Sequence, residues 1–498
     1  MSGIDDLTSI ATLKEILDGT EIVMGEDGAF YATFTRDGRL VTYPTFSSEF
    51  MTWYRGEAVQ RLNSVPGTRL VKQAIEEAEH KVQMVNLPYP VASRFHADET
   101  TAVIHLGRGV LLEIDAKGAK TRKDANIESG IIFPTRPSMH SLPKPEDGDV
   151  LEVLAEFLDL PEDQCRLALI WLMSLFQPDG RYPILFIIGS RQSGKTWLAT
   201  VLRRLLDPHP VPLLSFPKDQ KELKAAVLDN AILAFDNVEK MPLQHELLAL
   251  AKGTALTLPG WSRPVQCKRP IIVVCDKLPD APDLLENALV LRLKARPAKA
   301  FKSKSELDRI FHRQHGKAFG SLVMACTLAL QNRKTVELDA VHKDAELEKW
   351  IVALDNGLDL GGKLMGALQH NLEQTLTDII QERPALRAFH ALVQAKGSVK
   401  ATATELLVDI EPFLDGPKDA RYPTSGKALA KLLRDHKRFM TSIEIDFVRS
   451  GKDGDRNIVA TWLSPKTGAG VMAAPPSRTT PGRHKKTDGA SQDQPRLL

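Results

Sequence analysis

Cysteine is scarce in this 498-residue chain. Cys165, Cys267, Cys275 and Cys326 lie far apart and form no C-x-x-C pair. That excludes a zinc ribbon and a disulfide framework, and predicts reduced core thiols in the cytosol. Long apolar runs are missing too, since no stretch approaches the ~18 residues of a membrane span. No apolar targeting segment opens the sequence. The expectation is a cytoplasmic protein, neither secreted nor membrane-bound. Net charge is nearly absent at +2, so any nucleic-acid surface must be local rather than global. Internal repeats are lacking. Hydrophobic residues at 43% and charged residues at 26% are ordinary for soluble globular protein. The length predicts about two to four domains.

One stretch is sharply informative. Pro183 to Pro208 reads PILFIIGSRQSGKTWLATVLRRLLDP. Ile184 to Ile188 is an apolar run of the kind buried on both faces of a parallel sheet. Gly189, Ser190, Arg191, Gln192, Ser193, Gly194, Lys195 and Thr196 follow, in the G-x-x-x-x-G-K-[ST] phosphate-loop pattern. Leu198, Val201, Leu202 and Leu205 then recur at helical spacing. Successive backbone N–H groups in such a loop make a nest for phosphate oxygens, and the helix N-terminus adds positive potential. Gly189 and Gly194 permit the backbone angles the loop needs. Lys195 is placed to reach the β- and γ-phosphates of ATP, and the Thr196 hydroxyl to ligate Mg²⁺.

Phe30 to Thr42 alternates about Asp37-Gly38, a hairpin signal. Helices are predicted near 48–62 and 69–85, and strands near 102–106 and 110–114. Glu113 and Asp115 share one strand face, but Asp115-Ala-Lys-Gly118 reads as a turn, so this region is assigned no catalysis. Pro134 to Gly148 reads as a linker, followed by helices over 149–158 and 161–176. Lys218 to Leu228 is helical. Ala231 to Phe235 is a second buried strand ending in Asp236, which is placed to hold Mg²⁺ through water beside Thr196. The residue after it is Asn237 rather than an acid, and Glu239 is the nearest carboxylate to orient a water. Met241 to Ala251 is helical, and a hairpin is predicted about Pro259-Gly260. Strands at 270–275 and 288–293 complete the core. Ser303 and Ser305 open a helical region by their capping spacing.

The C-terminal part reads as a helical block over 364–396, a helix over 403–410, and a basic helix over Thr424–Phe439. Lys427, Lys431, Arg434 and Arg438 stack along one side of that helix. A hairpin of two strands near 443–448 and 457–463 follows, with Arg449, Lys452 and Arg456 at its tip. That order matches a winged helix-turn-helix, in which the second helix enters the major groove and the hairpin tip touches phosphate. Beyond Lys466 the composition predicts disorder.

The GSRQSGKT loop, LAFDNVEK, KRPIIVV and PDLLENALVLRL together resemble P-loop ATPases of the superfamily 3 and AAA+ type, carried by phages and mobile elements. Many of these are replicative helicases or the helicase half of primase–helicases. The resemblance implies an α/β P-loop (AAA+/superfamily 3-like) core with an N-terminal α+β domain and a C-terminal winged-helix-like domain. The expected boundaries are 1–145 for the N-terminal domain, 146–300 for the core and 301–362 for a helical lid. A helical linker and the winged-helix-like domain take 363–465, and a disordered tail 466–498.

The resemblance also implies a ring, a homo-hexamer, with ATP between subunits. The hairpin before the third strand then grips single-stranded DNA in the channel, through Lys252, Trp261, Arg263 and Lys268. The basic helix and hairpin tip of the C-terminal domain predict contact with DNA or RNA, duplex DNA among the forms. Such enzymes supply an arginine in trans, for which Arg263, Arg269 and Arg292 are candidates, with Arg269 placed in the catalytic set. The expected function is an ATP- and Mg²⁺-dependent DNA motor, a helicase or replication-initiator ATPase. The rival reading is a nucleotide-switched scaffold, a loader or defence-system ATPase with slow turnover. It is motivated by Asn237 and by the third strand ending in Cys275-Asp276, where a γ-phosphate-sensing Asn is common.

Overall fold

In a computed structural model, residues 2–85, 87–123, 130–178, 181–257, 265–279, 281–297, 302–338, 344–419, 421–442, 445–450 and 457–462 are described. The chain forms two compact units, Met1–Glu382 and Arg383–Leu498.

The centre of the first unit is a four-stranded parallel sheet. The phosphate-loop strand Ile184–Gly189 lies between Ala288–Leu293 and Ile271–Cys275, and Leu233–Phe235 pairs with the far side of Ile271–Cys275. Leu214 bridges to Phe235 in parallel at that edge. These strands read as unbroken apolar runs because helices cover both faces. Ile184 to Ile187, Leu233 to Phe235 and Ile271 to Val274 are almost fully buried. The helix Lys195–Leu206 turns Leu198, Val201, Leu202 and Leu205 inward, the face its spacing predicts. Helix Glu162–Ser174 is buried nearly all round. The Trp171 and Trp350 indoles are satisfied at the carbonyls of Pro183, at 3.0 Å, and Met173, at 2.8 Å. A buried indole N–H without such an acceptor would be costly.

Ahead of the core stand a three-stranded antiparallel sheet with helices Ser48–Leu62 and Thr68–Val85, and a four-stranded antiparallel sheet over residues 95–123. The hairpin of Phe30–Arg36 and Arg39–Pro44 turns at Asp37 and Gly38, both left-handed at φ 51° and 70°, as a two-residue hairpin loop favours. Glu113 pairs with Arg122 at 2.6 Å, and Asp115 accepts from the Lys117 and Gly118 amides. Both carboxylates are therefore structural.

The proline-rich stretch 134–148 is not a loose linker. Its amides reach carbonyls across the unit, Thr135 to Thr42, Leu142 to Leu106 and Glu146 to Gly316. Arg136 is buried within it. Prolines block regular structure here, but they do not prevent docking.

The second unit carries helix Pro384–Lys396, strand Ser398–Thr402, helix Ala403–Asp409, helix Gly426–Asp435, helix Lys437–Ser442 and strands Ile445–Ser450 and Asn457–Trp462. Asn457–Trp462 is the middle strand of three. The single helix expected over 424–439 is broken at His436, whose amide caps the Leu432 and Leu433 carbonyls. Lys427, Lys431 and Arg434 remain exposed on one helix, whereas Arg438 falls on the next. No helix among the described residues is long and apolar enough to cross a membrane.

Candidate nucleotide site

The phosphate loop lines a cleft of about 1410 Å³. The loop owes its shape to three positive backbone angles, Gly189 at φ 157°, Gln192 at 65° and Gly194 at 88°. A Cβ on Gly189 would stand 2.4 Å from the Leu293 carbonyl oxygen, so the strand-to-loop corner admits no side chain. Gly194 is the N-cap of helix Lys195–Leu206 and contributes no side-chain cap, so the first amides of that helix stay open to an anion.

Lys195 is half-sheathed by its own loop. Its ammonium donates to the carbonyls of Gly189 at 2.6 Å and Ser190 at 3.0 Å, and to Asp276 Oδ1 at 2.9 Å. Asp276 immediately follows the strand that sits between the loop strand and the acid strand. The Lys195 ammonium beside it holds the Asp276 carboxyl below the usual carboxylate range. The neighbouring Cys275 thiol is pushed up to about 12 by burial, which makes it inert.

Thr196 Oγ1 donates to Asp236 Oδ1 at 3.2 Å, and the Asn237 amide donates to the same oxygen at 3.0 Å. Asn237 turns left-handed at φ 53°. Val238 is then pinned to the third strand by a 2.9 Å bond to the Val274 carbonyl, and Glu239 stands exposed at the cleft rim. A hydroxyl and a carboxylate in contact at the mouth of a phosphate nest are hard oxygen donors. They fit Mg²⁺, which keeps several waters and is held by one or two protein oxygens plus phosphate. Among the described residues no group of three or more His, Cys, Asp or Glu could hold a metal alone.

Two parts of the site were not legible in the sequence. Asp276 is one, because contact with Lys195 depends on strand order. The other is Arg296, whose amide donates to Gln192 O at 3.2 Å and whose guanidinium pairs with Asp159 at 2.6 Å. Together they brace the outer side of the loop.

The remaining candidates are dispersed. Lys252 ends helix Gln244–Lys252, and Lys268 packs over Gly253 beside the two short strands Ala255–Leu256 and Val265–Gln266. Trp261 and Arg263, with the tip of that hairpin, lie outside the described residues. Lys452 and Arg456 lie outside them too. The Arg269 guanidinium is taken up by the carbonyls of Val227 and Asn230, bracing the end of helix Gln220–Asp229. Arg292 is held by Asp378 and Thr375. Both arginines thus serve their own chain in this state.

Residues 149–362 match the family model of the actinomycete integrative conjugative element replication protein. The matched segment contains the whole parallel sheet, the phosphate loop, Asp236 and Asp276. Among curated proteins none matches the chain. Solved structures similar to it include the apo NrS-1 C-terminal region, at 13% identity and a TM-score of 0.38, covering 91% of this chain and 98% of that one. The SCCmec type IV Cch structure, described as an active helicase, shares 10% identity at a TM-score of 0.41, over 89% and 93% of the two chains. A full-length MCM homologue from Methanopyrus kandleri shares 13% at 0.30, over 66% and 90%.

Proposed function

We propose that this chain is an ATP- and Mg²⁺-dependent DNA motor, a replicative helicase or replication-initiator ATPase of a mobile element. One observation carries the reading: Lys195, Thr196, Asp236 and the uncapped N-terminus of helix Lys195–Leu206 line one cleft, with Thr196 and Asp236 in contact. The match of residues 149–362 to a replication-protein family supports the DNA half of it.

In this reading the loop amides and Lys195 hold the β- and γ-phosphates, and Thr196 and Asp236 hold Mg²⁺. Mg²⁺ there neutralises charge on the phosphates. The fold is of the AAA+/superfamily 3 type and the active assembly is a ring, expected to be a homo-hexamer. Lys252 and Lys268, at the base of the hairpin, face single-stranded DNA together with Trp261 and Arg263. The second unit acts as a winged-helix-like module that presents Lys427, Lys431 and Arg434 to DNA backbone. The test is ATP hydrolysis with and without single-stranded DNA at low salt. DNA-stimulated turnover supports the motor, whereas no stimulation together with no DNA binding rejects it. The alternative, a nucleotide-switched scaffold, is favoured by Asn237 standing where an acid is expected. It predicts ATP-dependent assembly with negligible turnover.

A further inference from the structure

The acid strand ends Asp236-Asn237, so the residue next to the Mg²⁺ carboxylate cannot take a proton from water. Glu239 lies two residues further on, beyond Val238, which is tied to the third strand. A different carboxylate, that of Asp276, already contacts the loop lysine. Asp276 leaves the end of the strand that separates the loop strand from the acid strand, so topology places it between Lys195 and Asp236. Its Oδ1 stands 2.9 Å from Lys195 Nζ, the atom expected to meet the γ-phosphate. The Asp276 side chain is 67% exposed, free to change rotamer, while Lys195 is 11% exposed and fixed by two loop carbonyls.

We infer that Asp276 is the water-activating carboxylate of this site, and that Lys195 holds it in reserve until a nucleotide arrives. The inference rests on the nucleotide reading and deepens it. A nucleotide's terminal phosphate competes with Asp276 for the same ammonium. When phosphate wins, the carboxylate is released beside the γ-phosphate without any backbone movement. There it accepts a hydrogen bond from a water. That water's oxygen forms a bond to the γ-phosphorus as the bond from phosphorus to the β–γ bridging oxygen breaks. ADP leaves with the bridging electron pair, and the water's proton passes to Asp276 and then to solvent. The chain thereby supplies from its third strand the acid that its second strand lacks.

Asp276 has two opposed effects in this account, and one substitution separates them. Removing its charge frees Lys195 and tightens ATP binding, by about 2- to 5-fold for a partly exposed ion pair. The same change removes the base and lowers kcat by about 100-fold or more. The experiment measures ATP affinity by calorimetry and kcat with single-stranded DNA, for the full chain and for Asp276→Asn and Asp276→Glu. Tighter binding with collapsed kcat in Asp276→Asn, and partial kcat in Asp276→Glu, is the expected result. A kcat within about threefold of wild type, or weaker ATP binding, in Asp276→Asn overturns the inference. Wild-type protein that binds ATP but does not hydrolyse it also overturns it, and leaves the nucleotide site standing. Wild-type protein that binds no ATP refutes the underlying nucleotide reading instead.

Discussion

The helix that follows the phosphate loop ends in a buried charge cluster, and Asp207→Asn tests what holds it. Asp207 is 1% exposed. It meets Arg94 at 3.0 Å and Arg203 at 3.7 Å, and accepts from the amides of Ala231 and Ile232 at 3.1 Å each. Arg94 and Arg203 are themselves fully buried, and Arg136 lies nearby. Burial pushes the Asp207 carboxyl up, but the three arginines outweigh it and hold the group below its ordinary range. Asparagine keeps the shape and removes the charge, so two buried guanidinium groups lose their counter-ion. Breaking a buried pair by removing one partner costs about 3–5 kcal/mol. The upper end applies here, because an amide can offer only one oxygen to donors that now use two. The cost is comparable with the total stability of many domains, about 5–15 kcal/mol. Urea unfolding of the full chain reads it. Asp159→Asn is the internal comparison, since Asp159 is 70% exposed in its pair with Arg296 and should cost below about 1 kcal/mol. If Asp207→Asn costs no more than Asp159→Asn, the cluster is not an electrostatic anchor and the reasoning fails.

Burial lowers His105 to about 3 and His315 to about 4. The folded chain therefore refuses protons that the unfolded chain takes below its own value near 6.5. Stability should be full above that pH and fall by about 1.4 kcal/mol per pH unit for each histidine as pH drops toward 4. Equal urea midpoints at pH 7.5 and 5 would contradict this, and His315→Gln should reduce the loss. In the second unit, reversing charge at Lys427, Lys431 and Arg434 should weaken DNA binding and reduce the log–log salt slope by about 2–3. An unchanged slope, measured by fluorescence anisotropy between low and moderate salt, would return that helix to an ordinary solvated face.

Much of the core was legible because its signals are local. The run Ile184 to Ile188, the glycines at 189 and 194 and the Leu198–Leu205 face each specify their own structure, and all appear where the pattern puts them. Asp37-Gly38 likewise specified its hairpin. What escaped depends on pairing between distant segments. Strand Ser398–Thr402 is a short polar run that becomes a strand only by pairing with Asn457–Trp462. The docking of 134–148 depends on acceptors at Thr42, Leu106 and Gly316, far away in sequence. Asp276 reaches Lys195 only because its strand inserts between two others, and no spacing rule encodes that. The helix break at His436 escaped because the basic spacing continues through it.

Calorimetric titration of the full chain and of Lys195→Ala with ATP and Mg²⁺ tests the central claim most directly. Wild type should bind one nucleotide per chain, and Lys195→Ala should lose that binding while melting at the wild-type temperature, because the lysine acts on phosphate charge. Undiminished binding in Lys195→Ala, or no binding by wild type, would contradict the account.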